Sequence, residues 1–142
     1  MKIKINHPKQ DETQDIQNPD ISSLTIEDIK KLEDSICTEL YVGVVLDYYV
    51  NRNEMLTMLV KKIRYGGKLI LYGTDLLCVA FAFSSGSINS QQASDTLYGG
   101  KQSTSSMEYM CELLKNMGFQ IITTNIINDK YTITAQRPEI NV

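Results

Sequence analysis

Between Met55 and Tyr72 the apolar residues change their period, and the change falls on two adjacent glycines. Met55, Leu56, Leu59, Val60 and Ile63 recur at helical spacing, with Lys61, Lys62 and Arg64 near the negative end of the helix dipole. After Gly66-Gly67 comes the apolar run Lys68 to Tyr72, KLILY, which suits a buried strand. Glycines that cradle a phosphate follow a strand and open a helix. This pair stands in the reverse order. It therefore closes a crossover from helix to strand, with Gly66 expected as a helix C-cap at positive φ.

The other segments extend the same plan. Lys2 to Asn6, KIKIN, alternates like a short strand stopped by His7-Pro8, and Lys9 to Pro19 is a polar loop. Asp20 to Leu24 is a second short extended piece. In TIEDIKKLEDSI the residues Ile26, Ile29, Leu32 and Ile36 fall at helical spacing, with Thr25 or Ser23 as N-cap. Leu40 to Leu46, LYVGVVL, reads as a strand covered on both faces. LLCVAFAF, after Asp75, is apolar all round and predicts a buried helix ending near Gly86. Ile88 to Thr104 is a long polar excursion. Ser105-Ser106 can cap a helix that shows Met107, Met110, Cys111 and Leu114 on one face, with Gly118 as C-cap. Phe119 to Asn125 and Lys130 to Gln136 then alternate around the turn INDK as an antiparallel hairpin. The order predicts a single α/β domain over 1–142, with residues 1–19 a poorly defined N-terminal segment.

Composition narrows the chemistry. A net charge of −3 with no basic stripe argues against nucleic acid as the main partner. No run approaches the length of a membrane span, and the first residues lack the apolar core of a secretory signal. The three cysteines, Cys37, Cys78 and Cys111, are scattered and form no metal-binding pair, which fits a reducing cytoplasm. The single histidine, His7, sits in a polar loop and is expected at the surface, so neither a histidine metal site nor a serine–histidine triad is expected. The isoleucine-, asparagine-, lysine- and tyrosine-rich composition points to an AT-rich genome such as that of a phage, where a place in the virion is an alternative to the cytoplasm.

The segments ELYVGVVLDYY, MLVKKIRYGGKLILYG, ELLKNMGFQIITTNII and KYTITAQRP follow one another in an order with a known counterpart. That order resembles the C-terminal half of class I S-adenosylmethionine-dependent methyltransferases. Small bacterial and phage members of that family carry a "vLEH" motif and a "lYGGQ" loop. Here VLDY (Val45 to Tyr48) and LYGGKQ (Leu97 to Gln102) stand at those places, and IQNPDISSL (Ile16 to Leu24) resembles the third-strand segment. The resemblance covers residues 16–138 and implies a reduced Rossmann-like fold, a mostly parallel sheet with flanking helices and a C-terminal antiparallel hairpin.

The front of the chain departs from the family. A glycine-rich turn after the first strand lets the backbone approach the cofactor. HPKQDE stands there instead, Pro8 removes an amide donor, and no glycine precedes Gly43. The resemblance leaves Asp20, Asp47 and Tyr48 as vestigial cofactor-binding positions, and Asp75, Tyr98, Gly99 and Gly100 as candidates for a substrate loop. Tyr48 replaces the family histidine and is no base near neutral pH. Asp47 and Asp75 are also placed to cap the helices that follow them. The expectation is a degenerate, non-catalytic methyltransferase-like domain without cofactor or metal, working with a protein partner as a homo-oligomer or larger assembly. The alternative is an active S-adenosylmethionine-dependent enzyme with an atypical cofactor site and a carbohydrate acceptor.

Overall fold

Five strands of one sheet align their buried side chains in two rows. Ile3, Leu40, Leu69, Ala135 and Ile121 stand side by side across the sheet, and Ile5, Val42, Leu71, Ile133 and Thr124 form the next row. Eight of these ten are fully buried. The computed structural model describes residues 1–6, 20–99 and 101–140. The expectations for His7 and for the polar loop Lys9 to Pro19 lie outside the described residues.

The strands are β1 (Lys2–Asn6), β2 (Ile21–Thr25), β3 (Cys37–Val42), β4 (Ile63–Thr74), β5 (Gln120–Ile127) and β6 (Lys130–Gln136). Their order in the sheet is β2-β1-β3-β4-β6-β5, parallel from β2 to β4 and antiparallel at the β6–β5 hairpin. Among the described residues five α-helices accompany them: α1 (Ile26–Lys30), α2 (Arg52–Val60), α3 (Leu76–Ser84), α4 (Ser90–Leu97) and α5 (Met107–Asn116). Ile26 and Ile29 of α1, Leu56 and Leu59 of α2, and Met110 and Leu114 of α5 share one core with the two strand rows. These three helices therefore cover the same face of the sheet. Among the described residues no helix is long and apolar enough to cross a membrane.

The structure corrects several sequence expectations. The helix from Thr25 is only α1, where a reciprocal cap between Thr25 and Asp28 starts it and Lys31 ends it. Ile36 belongs instead to the entry into β3. That strand stops at Val42, and Val44 to Leu46, expected as its continuation, falls in a 3-10 helix, Val44–Tyr48. The polar excursion contains α4, whose Asn89 and Gln92 cap each other. Most consequentially, α3 is not a buried helix: only Val79 is covered, while Leu77 is 56% and Phe81 72% exposed. Its apolar residues have no facing layer, because α3 packs chiefly on α4. The hairpin and α5 agree with expectation: Asn128 takes φ 59 in the turn, Ser106 caps α5, and Gly118 follows it at φ 90.

Gly66 has the expected positive φ, 79, but it is no helix cap, since α2 ends at Val60 with Lys61 as C-cap. The glycine pair lies inside β4. Cys37 pairs with Ile63 and Glu39 with Lys68, so the chain from Arg64 to Gly67 bulges against the single residue Thr38. The end of β6 clamps the bulge. Gly66 N–H donates to the Arg137 carbonyl (2.8 Å), Arg137 N–H to the Gly67 carbonyl (2.9 Å), and Arg137 Nη1 to the Ile63 carbonyl (2.7 Å). The Arg137 guanidinium lies 3.9 Å over the Tyr65 ring. A Cβ on Gly67 would stand 2.8 Å from Ile63 Cγ2 and 2.9 Å from the Arg64 carbonyl oxygen. Gly67→Ala is therefore expected to cost about 1–3 kcal/mol, read as a lower urea midpoint at unchanged slope.

Candidate functional site

Open α/β sheets place ligands at the C-terminal ends of their strands. At that end β3 runs through Gly43 into the 3-10 helix, and four residues separate Asp47 from Arg52, the first residue of α2. The tight turn brings Arg52 Nη1 to 2.9 Å from Asp47 Oδ1, with the two residues only 3% and 7% exposed. Arg52 Nη1 also donates to Ser103 Oγ at 3.3 Å. Lys101 Nζ lies 3.9 Å from Asp47 Oδ2. The Asp47 carbonyl accepts from the N–H groups of Gln102 (2.6 Å) and Ser103 (2.9 Å). VLDY and LYGGKQ, distant in sequence, thus meet in space, joined by Asp47.

Electrostatics follow from this burial. Loss of water pushes the Asp47 carboxyl up from its ordinary value, against the opposing pull of Arg52 and Lys101. Burial lowers the Lys101 ammonium, and Asp47 draws it back. Tyr131 packs beneath the pair, its phenol driven far up by burial while Arg52 pulls the other way. No sequence motif singled out Arg52 or Tyr131.

Asp75 has a different set of partners. Its Oδ2 accepts from Cys78 N–H (3.1 Å) and caps α3, while its Oδ1 accepts from Met107 N–H (2.9 Å) at the start of α5. Its own N–H donates to the Asp129 carbonyl in the hairpin turn (2.7 Å). One buried carboxylate thereby ties the end of β4 to two helices. Through its hydrogen bond to the Asp75 carboxylate the Cys78 thiol is pushed up to about 11, so it stays protonated at neutral pH.

The other candidates are dispersed. Asp20 is exposed in a turn before β2, and Tyr48 is half-buried in the 3-10 helix. Tyr98, at the C-terminus of α4, is 64% exposed, and Gly99 follows at φ 22. Gly100 lies outside the described residues. At Gly43 a Cβ would stand 2.5 Å from a ring carbon of Tyr72, so the tyrosine fills the space beside this glycine. An open cleft of about 620 Å³ adjoins Arg52 and is walled by Asn53, Thr104, Ser106 and Tyr109. Asn53 Nδ2 donates to the Tyr109 hydroxyl at 2.9 Å. Asp47 Oδ2, Arg52 Nε, Asn53 Oδ1 and Thr104 Oγ1 are buried and make no hydrogen bond among the described residues. The described residues hold no cluster of histidine, cysteine and acidic side chains able to bind a metal.

Removing Arg52 leaves the Asp47 charge buried with only Lys101 near it. Arg52→Met is expected to destabilise the chain by about 3–5 kcal/mol at pH 7. The folded-state pKa of Asp47 already lies above its unfolded value, so the folded chain takes up that proton first as pH falls. Losing Arg52 raises that folded pKa further, so the penalty is full above the variant's folded pKa and fades as the pH drops from there through the native chain's folded pKa. Denaturant melts of the native and variant chains between neutral and acid pH are expected to show the gap closing.

No protein-family model and no curated protein matches this chain. Solved structures do. An O-methyltransferase family protein from Burkholderia thailandensis superposes with TM-score 0.60 at 11% identity, over 84% of this chain and 36% of that one. A methyltransferase dependent on S-adenosylmethionine from Mesorhizobium loti gives 0.59 at 12% identity, over 84% and 72%. The magnesium protoporphyrin IX methyltransferase of Synechocystis, solved with bound SAH, gives 0.54 at 18% identity, over 82% and 51%. The chain spans about a third of the length of the Burkholderia protein and half that of the Synechocystis enzyme. In its strand order, its one antiparallel hairpin and its flanking helices, the chain has the Rossmann-like fold of class I S-adenosylmethionine-dependent methyltransferases.

Proposed function

We propose that this chain is a methyltransferase-fold domain that works without catalysis, as a protein-binding module. The observation that carries the reading is the fate of Asp47 and Asp75. Both carboxylates at the strand ends are buried and held by groups of the chain itself: Asp75 accepts two helix-starting N–H groups, and Asp47 Oδ1 accepts from Arg52, while Asp47 Oδ2 makes no hydrogen bond among the described residues and has the Lys101 ammonium 3.9 Å away. A ligand would have to displace a guanidinium or the N–H groups that start two helices.

The residues present do not fit S-adenosylmethionine. Tyr72 fills the space beside Gly43, and HPKQDE follows β1 where a close approach of ligand to backbone needs glycine. Protein binding is supported instead by large apolar residues left in water, Phe81, Leu77 and Ile127 among them.

One observation favours the second reading, methyl transfer through an atypical site. The cleft beside Arg52 gathers three buried polar atoms that lack partners, and such atoms can bind a polar acceptor such as a sugar. Calorimetric titration with S-adenosylmethionine and with its demethylated product separates the two. The non-catalytic reading expects no saturable heat from either compound at millimolar concentration. Saturable binding that weakens in Asp20→Ala or Tyr48→Phe supports the enzyme reading and overturns the first.

A further inference from the structure

We infer that β5 is a self-pairing edge, and that two copies of this chain join antiparallel through it into one continuous twelve-stranded sheet. The inference rests on the protein-binding reading and names the partner as a second copy.

β5 is the last strand of the sheet, and seven of its eight residues, all but Ile121, are exposed. Edge strands are ordinarily protected by charge, proline, shortness, a bulge or a covering element, and β5 has a bulge only near its start, between Ile121 and Thr123. Charge, proline and shortness are all missing: QIITTNII carries no charge and no proline, and it is longer than β2, the five-residue strand at the opposite edge. α3 stands near it with its apolar side in water, leaving a groove of about 850 Å³ lined by Leu77, Phe81 and Ile126.

The sequence of the strand commits the partner. In IITTNII the isoleucines lie symmetrically about Thr124, with the polar residues Thr123 and Asn125 facing each other across it. Antiparallel pairing centred there sets Ile122 opposite Ile126, Thr123 opposite Asn125 and Thr124 opposite Thr124 of the second copy. The faces agree as well. Thr124 and Ile126 pair with Ile133 and Tyr131 of β6 and so share the helix-covered face, as does Ile121 opposite Ala135, and Ile122 is the extra residue of a bulge between Ile121 and Thr123. Ile122 of the second copy then meets Ile126 on the wall of the α3 groove, and the reciprocal contact forms on the other side of the two-fold axis. No like charges oppose one another anywhere along this register.

The exposed area is of the right size. Leu77, Phe81, Phe83, Ile122, Ile126 and Ile127 are 56, 72, 50, 43, 37 and 64% exposed. At roughly 200 Å² for a large apolar residue, they offer about 600 Å² per copy. A stable interface buries about 800 Å² per partner, and main-chain pairing along β5 supplies the remainder.

Sedimentation of the full chain tests the inference. At about 50 μM the native protein is expected at twice its 16.1 kDa mass. Thr123→Lys with Asn125→Lys sets lysines opposite one another at both cross-strand pairs and is expected to yield a monomer with unchanged circular dichroism. Thr123→Lys with Asn125→Asp sets opposite charges there and is expected to remain dimeric. Should the lysine variant not fold, Thr124→Cys serves instead. Its two copies stand about 5 Å apart across the axis and are expected to cross-link under a mild oxidant, unlike the native chain. A native monomer at 50 μM, including one that pairs only with a different protein, overturns the inference. So does a dimer that neither double variant alters, or a Thr124→Cys chain that does not cross-link. A dimer that also binds S-adenosylmethionine overturns the non-catalytic reading while leaving the pairing intact.

Discussion

The Asp47–Arg52 ion pair organises the end of the sheet where a ligand would sit. Two charges removed from water are tolerated only if each meets the other and their remaining hydrogen-bonding groups are largely satisfied. Here the pair closes the 3-10 turn after β3, fixes the first turn of α2, and holds the Lys101–Ser103 loop through its guanidinium and the Asp47 carbonyl. Asp75 does comparable work one strand away, joining β4 to the starts of α3 and α5. The two acids that a ligand would need are the two that hold the loops in place. That dual demand is the physical reason to read the site as structural.

A second constraint is the asymmetry of the layers. α1, α2 and α5 cover one face of the sheet with a single apolar core. α3 carries the most hydrophobic sequence of any helix and yet stands largely in water beside an uncharged edge strand. Large apolar side chains in water carry a cost that burial against a partner removes, at about 25 cal/mol for each Å² covered. The apolar residues left exposed at this edge are the physical basis of the protein-binding role proposed above.

Much of the fold was legible in the sequence. The hairpin turn at Asn128, the cap at Ser106 and the strand at Lys2–Asn6 are local events, set by residues within a turn of one another, and they stand where the pattern placed them. The motifs VLDY and LYGGKQ were matched only by order, and the structure brings them into contact. What escaped was tertiary. Gly66 has a positive φ either as a helix cap or in a strand bulge, and only the grip of Arg137 selects the bulge. LLCVAFAF signals burial because its composition says nothing about whether a covering layer exists. Arg52 looks like an ordinary first residue of a helix, and its partner is set by a turn that its own sequence does not announce. The structure leaves Tyr98 exposed and gives Asp75 a capping role that local sequence alone had equally allowed.

The claim that the strand-end acid serves the fold is tested most directly by a double-mutant cycle on Asp47 and Arg52. Unfolding free energies would be measured for Asp47→Leu, Arg52→Met and the double variant, alongside the native chain. If the pair holds the turn, each single change leaves a buried charge alone and the double variant recovers much of the loss, with a coupling energy of about 2 kcal/mol or more. If the two losses simply add, the residues act independently, and Asp47 would have to be explained by something other than the fold.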